Sequence, residues 1–181
     1  MGYIEKTEIM DNATTERAIS RISYEIIERN KSTADMVLIG IQTKGVALAK
    51  NIAKKIKEIE GTDIPLGTLD ITFYRDDLTM LSQHPVIKQS DIPFSVEGKN
   101  IILVDDVLYS GRTIRAAIEE LFDMGRPAKV ELAILVDRGN RELPIRGDYI
   151  GKDVPTSKKE YINAEVDEND NILRVSLGIM E

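Results

Sequence analysis

The chain has 181 residues, 42% of them apolar and 30% charged, which is the make-up of one globular domain with its own core. With no cysteine it can hold no disulfide, thiolate nucleophile, iron–sulfur cluster or cysteine zinc site, and a single histidine, His84, excludes a His–His metal cluster. The net charge of −7 argues against a protein that coats nucleic acid non-specifically, yet segment 138–159 carries six basic residues against three acids.

In chain order, Asp11–Asn30 has Ala18, Ile19, Ile22, Ile26 and Ile27 on one face, with Asp11, Asn12 or Thr14 able to cap it, and predicts an amphipathic helix. The continuous apolar run Met36–Ile41 predicts a strand buried on both faces. Gly45–Glu60 returns to helical spacing and Gly61 stops it. Leu66–Tyr74 alternates like a strand. The polar stretch from Arg75 to Gly98 holds two prolines and predicts a long functional loop, with His84 at its surface. Ile101–Val104 reads as a second buried strand. Arg112–Met124 reads as a helix with Ile114, Ala117, Ile118, Leu121 and Phe122 inward, Gly125 as its C′ residue and Pro127 beyond. A third buried strand at Val130–Val136, a short extended piece at Asp148–Ile150 and a hairpin about Asp167–Asn171 complete the chain. Strands alternating with helices predict one α/β domain spanning 1–181. Its sheet is mainly parallel, helices cover both faces, and ligands bind at the carboxyl ends of the strands. The longest apolar runs are far too short to cross a bilayer and no signal peptide is evident, so a cytoplasmic protein is expected.

The most informative stretch follows the second buried strand. Asp105 and Asp106 close it, then come Val107, Leu108, Tyr109, Ser110, Gly111, Arg112 and Thr113, leading into a helix. Backbone N–H groups at the start of a helix lack intrahelical partners and, helped by the helix dipole, hold a phosphate. Gly111 permits close approach, and the Ser110 and Thr113 hydroxyls add donors. Two ionised carboxylates accept only, so they suit sugar hydroxyls or hydrated Mg²⁺. A solvated acidic pair before an ordinary helix cap is the bland reading. A receiver domain also puts acids at strand ends, but the order of its phosphoacceptor Asp and later Lys is not found here. A second turn, Gln42–Thr43–Lys44–Gly45, places N–H groups and a cation where a pyrophosphate could sit.

Together these residues resemble the signature of the type I phosphoribosyltransferases, which bind 5-phosphoribosyl-1-pyrophosphate (PRPP). The segments 70–78, 136–146 and 148–157 narrow the resemblance to the bifunctional pyrimidine-operon regulators of that family. These are mRNA-binding attenuators with uracil phosphoribosyltransferase activity. The resemblance implies the reaction uracil + PRPP → UMP + pyrophosphate with Mg²⁺. It implies that Asp105 and Asp106 hold the ribose hydroxyls, directly or through Mg²⁺, and that Val107 to Thr113 hold the 5-phosphate. Thr43, Lys44 and Arg75 then neutralise pyrophosphate, with Arg75 carried by a loop over about 75–98 acting as a lid. Asp137 and Arg138 end the third strand within reach of base or pyrophosphate, and Ile162 offers backbone groups to the uracil edge. In this family the 42–45 turn often holds a cis peptide.

The resemblance also implies an RNA surface. It takes in Arg17 and Arg21 on the first helix, and Arg141, Arg146 and Lys152, which the transferase site does not need; UMP controls binding to the operon leader mRNA. Tyr24 and Asn140 stand where the family carries histidine, and both can still hydrogen-bond RNA. The apolar face of the first helix and the 42–45 turn leave room for a subunit contact, so a homodimer or larger assembly is expected. A salvage transferase for another base, and a nucleotide-sensing RNA regulator without catalysis, are the competing readings.

Overall fold

The structure is a computed structural model that describes residues 2–72 and 89–181. The predicted lid residues Arg75 and His84 and the neighbouring Tyr74, Asp76 and Asp77 lie outside the described residues. Eight strands and three helices are described. They are β1 (Tyr3–Met10), α1 (Asn12–Asn30), β2 (Met36–Ile41), α2 (Lys44–Glu60), β3 (Leu66–Leu69), β4 (Asn100–Leu108), α3 (Arg112–Met124), β5 (Lys129–Asp137), β6 (Tyr149–Asp153), β7 (Glu160–Val166) and β8 (Ile172–Met180).

A five-stranded parallel sheet in the order β3-β2-β4-β5-β6 forms the centre. Side chains alternate across a strand, so β4 sends Ile102 and Val104 to one face and Ile101 and Leu103 to the other. The first face is covered by α1 and α2 with Ala18, Ile22, Ile26, Leu48 and Ile52. The second is covered by α3 with Ile114, Ala117 and Leu121. This is the expected doubly covered parallel sheet.

The C-terminal hairpin belongs to a separate antiparallel sheet in the order β1-β8-β7, which forms a hood over the first face through Ala164, Ile172 and Val175. Its third strand, β1, is absent from the sequence reading, because Tyr3–Met10 is polar and exposed along most of its length and gives no alternating signal.

Several expectations need correction. The strand expected over 66–74 stops at Leu69. The Asp70 carboxylate turns back to accept from Thr72 N at 2.9 Å and Thr72 Oγ1 at 2.5 Å, which ends the pairing. The last part of the expected long loop is packed structure: Asp91 bridges Thr68, Val96 is buried, and Ile92 and Phe94 lie on the core. Phe122 points outward and is 54% exposed, whereas Glu120 of the same helix is buried at 7%. Gly125 is extended, with φ 161°, and serves close packing instead: a Cβ there would lie 3.0 Å from Val96 Cγ2. The apolar face of α1, from which a subunit contact was expected, is consumed by the chain's own core.

Candidate active site

The carboxyl ends of β2, β4 and β5 converge, and each carries one part of the site. The β2–α2 turn is tight. A Cβ at Gly40 would lie 2.6 Å from Val46 Cα and one at Gly45 would lie 2.6 Å from Val104 O, so only glycine lets α2 start against the end of β4. The same Gly45 Cβ would lie 3.1 Å from Asp105 Oδ1. The turn proposed for pyrophosphate and the acidic pair are therefore in direct contact. The Gln42–Thr43 peptide is cis. Thr43 is exposed at the N-cap of α2 with no side-chain cap bond, and Lys44 Nζ donates to Asn163 Oδ1 of β7 at 2.7 Å.

β4 runs four residues further than its apolar run, through both acids to Leu108, paired with β5 up to Leu108–Asp137. Asp105 is 8% exposed and its Oδ1 accepts from Asp106 N at 3.0 Å, while Asp106 is half-buried. Among the described residues no group of three or more acids or histidines could hold a metal by protein ligands alone. Two adjacent carboxylates fit Mg²⁺ nonetheless, because that ion keeps waters and takes substrate phosphates as its remaining ligands.

Beyond Leu108, whose side chain is buried in the core and leaves only backbone for a ligand, comes the loop expected to hold phosphate, the phosphate loop of the sequence reading. Gly111 takes φ +94° at the N-cap of α3, and Ile145 and Leu143 pack within 3.4 Å of where its Cβ would be. Ser110 O accepts from Glu142 N at 2.9 Å and Leu143 N at 3.1 Å, and Arg112 Nε donates to Glu142 at 2.7 Å. The 141–145 segment thus buttresses the phosphate loop from outside, leaving Thr113 half-buried in the first turn of α3.

The β5 end differs from expectation. Arg138 is only 4% exposed. Its guanidinium lies 4.1 Å over the Tyr109 ring and 5.6 Å from the Tyr161 ring, and it donates to Thr156 Oγ1 and Ser157 O. It knits the phosphate loop to the hood and is already committed. Arg141, expected on a surface apart from the transferase site, donates to Tyr109 O and, at 2.5 Å, to Asp137 Oδ2. Sequence spacing gave no warning of this, because the loop folds back over residues 32 positions earlier. Ile162 lies on β7 with its side chain on the hood core. Asn163, not singled out from sequence, is the residue of that strand that reaches Lys44.

Of the expected RNA residues, Arg17 and Arg21 lie one turn apart on the exposed side of α1, followed by Tyr24, 57% exposed, at helical spacing. Arg21 donates to Gly151 O of β6, and Lys152 Nζ donates to Ile9 O, which joins α1 and β6 into one surface. Arg146 is exposed in the loop before β6, on the α3 side through its neighbour Ile145.

The phosphoribosyl transferase domain family matches residues 5–169. A protein of Acetivibrio thermocellus called "Bifunctional protein PyrR" is 57% identical over 178 residues, covering 98% of this chain and 97% of its own. One of the same name from Enterococcus faecalis is 55% identical over 96% of this chain and 97% of its own. Among solved structures, a hypoxanthine-guanine phosphoribosyltransferase from Bacillus anthracis superposes with TM-score 0.72 over 98% of this chain and all of its own, at 19% identity, which is a likeness of fold.

Proposed function

The chain belongs to the bifunctional PyrR family of uracil phosphoribosyltransferases, and from that membership we propose that it makes UMP from uracil and PRPP and, with UMP bound, attenuates its pyrimidine operon by binding leader mRNA. The observation that carries the enzymatic half is the contact of two anion-suited βα turns at Asp105, where a Cβ on Gly45 would lie 3.1 Å from Oδ1.

In this reading, backbone N–H groups from Ser110 to Thr113 hold the 5-phosphate at the start of α3, where the helix dipole favours negative charge. Asp105 and Asp106 orient the ribose hydroxyls and hold Mg²⁺. The bound ion supplies positive charge to the departing pyrophosphate. Thr43 and Lys44 receive the same group, and Arg75 completes the set. Uracil N1 forms the new bond to C1 as the C1–pyrophosphate bond breaks, through an oxocarbenium-like centre, and the N1 proton passes to the departing pyrophosphate or to solvent. Such a reaction asks for fixed charges more than for a side-chain base, in keeping with a chain that has one histidine and no cysteine. Ile162 backbone groups present the base edge.

The regulatory half rests on Arg17, Arg21, Tyr24 and Lys152 on one surface, with Arg141 and Arg146 on the segment that leads from β5 to β6. Exposed Arg, Lys and a stackable ring are the groups that grip phosphates and splayed bases of an RNA loop. We place the protein in the cytoplasm as a homodimer or larger two-fold assembly, checked by sedimentation at micromolar protein, where a monomer would refute it. Among the described residues no helix is long and apolar enough to cross a membrane.

One preparation tests both halves. UMP formation from PRPP is measured with uracil against a mixture of purine bases, and mobility shift of the operon leader RNA with and without UMP. Purine use would favour the salvage reading, and RNA binding without UMP formation would favour a non-catalytic regulator.

A further inference from the structure

Lys44 is the cation of the turn assigned to pyrophosphate, yet in this structure it is not loose. Its ammonium donates to Asn163 Oδ1 at 2.7 Å in a half-buried contact, across 119 residues of sequence. We infer that Asn163 is a positioning residue for PRPP: it holds the Lys44 ammonium over the β2–α2 turn with its remaining N–H groups available to the pyrophosphate.

The chemistry favours an amide here. A lysine ammonium has three donors on a flexible four-carbon stem, and fixing that stem costs entropy when the substrate must do it alone. One neutral acceptor uses a single donor and leaves the full positive charge for the anion. A carboxylate at 163 would orient the stem too, but would cancel the charge.

Asn163 is itself well fixed. Its neighbour Ala164 is 2% exposed in the core, and its partner across the hood is Ser176, fully buried and hydrogen-bonded to Tyr3 Oη at 2.9 Å. The position of the ammonium is therefore set by the hood and not by α2 alone. Asn163 also adjoins Ile162, so the strand that offers its backbone to the base is the one that orients the pyrophosphate cation.

The inference rests on the assignment of Lys44 to PRPP, and steady-state kinetics on four variants separate the two. Asn163→Ala is expected to raise the KM for PRPP about tenfold, with kcat and the KM for uracil within about twofold. Asn163→Asp should raise it further, because the charge is neutralised. Lys44→Gln should raise it at least as much as Asn163→Ala, and Asn163→Ala added to Lys44→Gln should have no further effect. If Lys44→Gln leaves the PRPP KM unchanged, the assignment of Lys44 falls and takes the inference with it. If Lys44→Gln raises it but Asn163→Ala does not, or lowers it, Lys44 stands and the positioning role is overturned. A general loss in kcat and both KM values that persists in the Lys44→Gln background would mean that Asn163 only supports the hood, and would also overturn it.

Discussion

Asp105 and Asp106 are sequence neighbours with different surroundings, one nearly closed off under the Gly45 turn and the other half-open at the cleft. Replacing both with Asn keeps shape and removes charge. We expect the fold to persist by circular dichroism while kcat/KM falls at least a hundredfold, about 2.7 kcal/mol of lost transition-state stabilisation. Near wild-type turnover would remove the pair from the mechanism. Glu120 tells a different story at the same scale. It is 7% exposed, Ser90 donates to its Oε1 at 3.0 Å, and its Oε2 and Asp70 Oδ2 are buried without a hydrogen-bond partner. Burial pushes its carboxyl above the usual range, with Ser90 opposing and the Asp70 and Asp123 charges adding to the rise. A carboxyl raised on folding keeps its full contribution at low pH and loses it as pH climbs through the folded value. Glu120→Gln should therefore melt higher than wild type at pH 8, with the gap closing towards pH 4.5; a gap independent of pH would show that the proton is not the cause. The strand end, turn and helix start over Asp105–Thr113 were legible because that signature needs contiguous residues in one order. Glu120 was not, because a charged side chain reads as solvent-facing even though it follows Ala117 by three residues on the buried face of α3.

The elements that were plain in sequence are those whose pattern is local. α1 begins one residue after Asp11, whose carboxylate accepts from Thr14 N at 2.8 Å, and α2 ends at Gly61 in the left-handed region with φ 68°. β4 outran its apolar stretch because Asp105 to Leu108 are held by pairing with β5, a partner that hydropathy cannot see. Glu131 on β5 makes the same point inside a core strand. It is 4% exposed and accepts from Tyr149 Oη at 2.6 Å and Lys129 Nζ at 2.7 Å, which carries a charge where the pattern reads apolar. The α2 start is the element most exposed to a small change. Gly45→Ala would force a Cβ to 2.6 Å from Val104 O, and overpacking of this kind costs about 1–3 kcal/mol. Because the displaced parts are the pyrophosphate turn and Asp105, we expect kcat/KM to fall further than thermal stability, measured on the same preparation. A variant that loses both in proportion would place the effect in folding alone.

Across the whole molecule the two proposed activities would share parts. Arg141 joins Asp137 to the phosphate loop, so Arg141→Gln should weaken RNA binding and UMP formation together, whereas Arg146→Gln, exposed and outside the site, should weaken RNA binding about tenfold at unchanged transferase activity. The salt slope of Arg146→Gln binding should be shallower by about 0.7 for each lost contact to a single-stranded phosphate. Filter binding and a UMP assay check both variants, and unchanged RNA affinity in Arg146→Gln would remove it from the RNA surface. The hood adds a constraint of another kind. Its middle strand is β8, and β1 and β7 both pair to it and not to each other. During translation β1 is among the first segments to leave the ribosome, yet its partner follows about 160 residues later, roughly 10–30 s at ordinary elongation rates. Until then β7 has no partner strand to hold Asn163 in place. Closure of the hood thus waits for β8, and a chain stalled before residue 172 lacks the strand that joins β1 and β7 into one sheet.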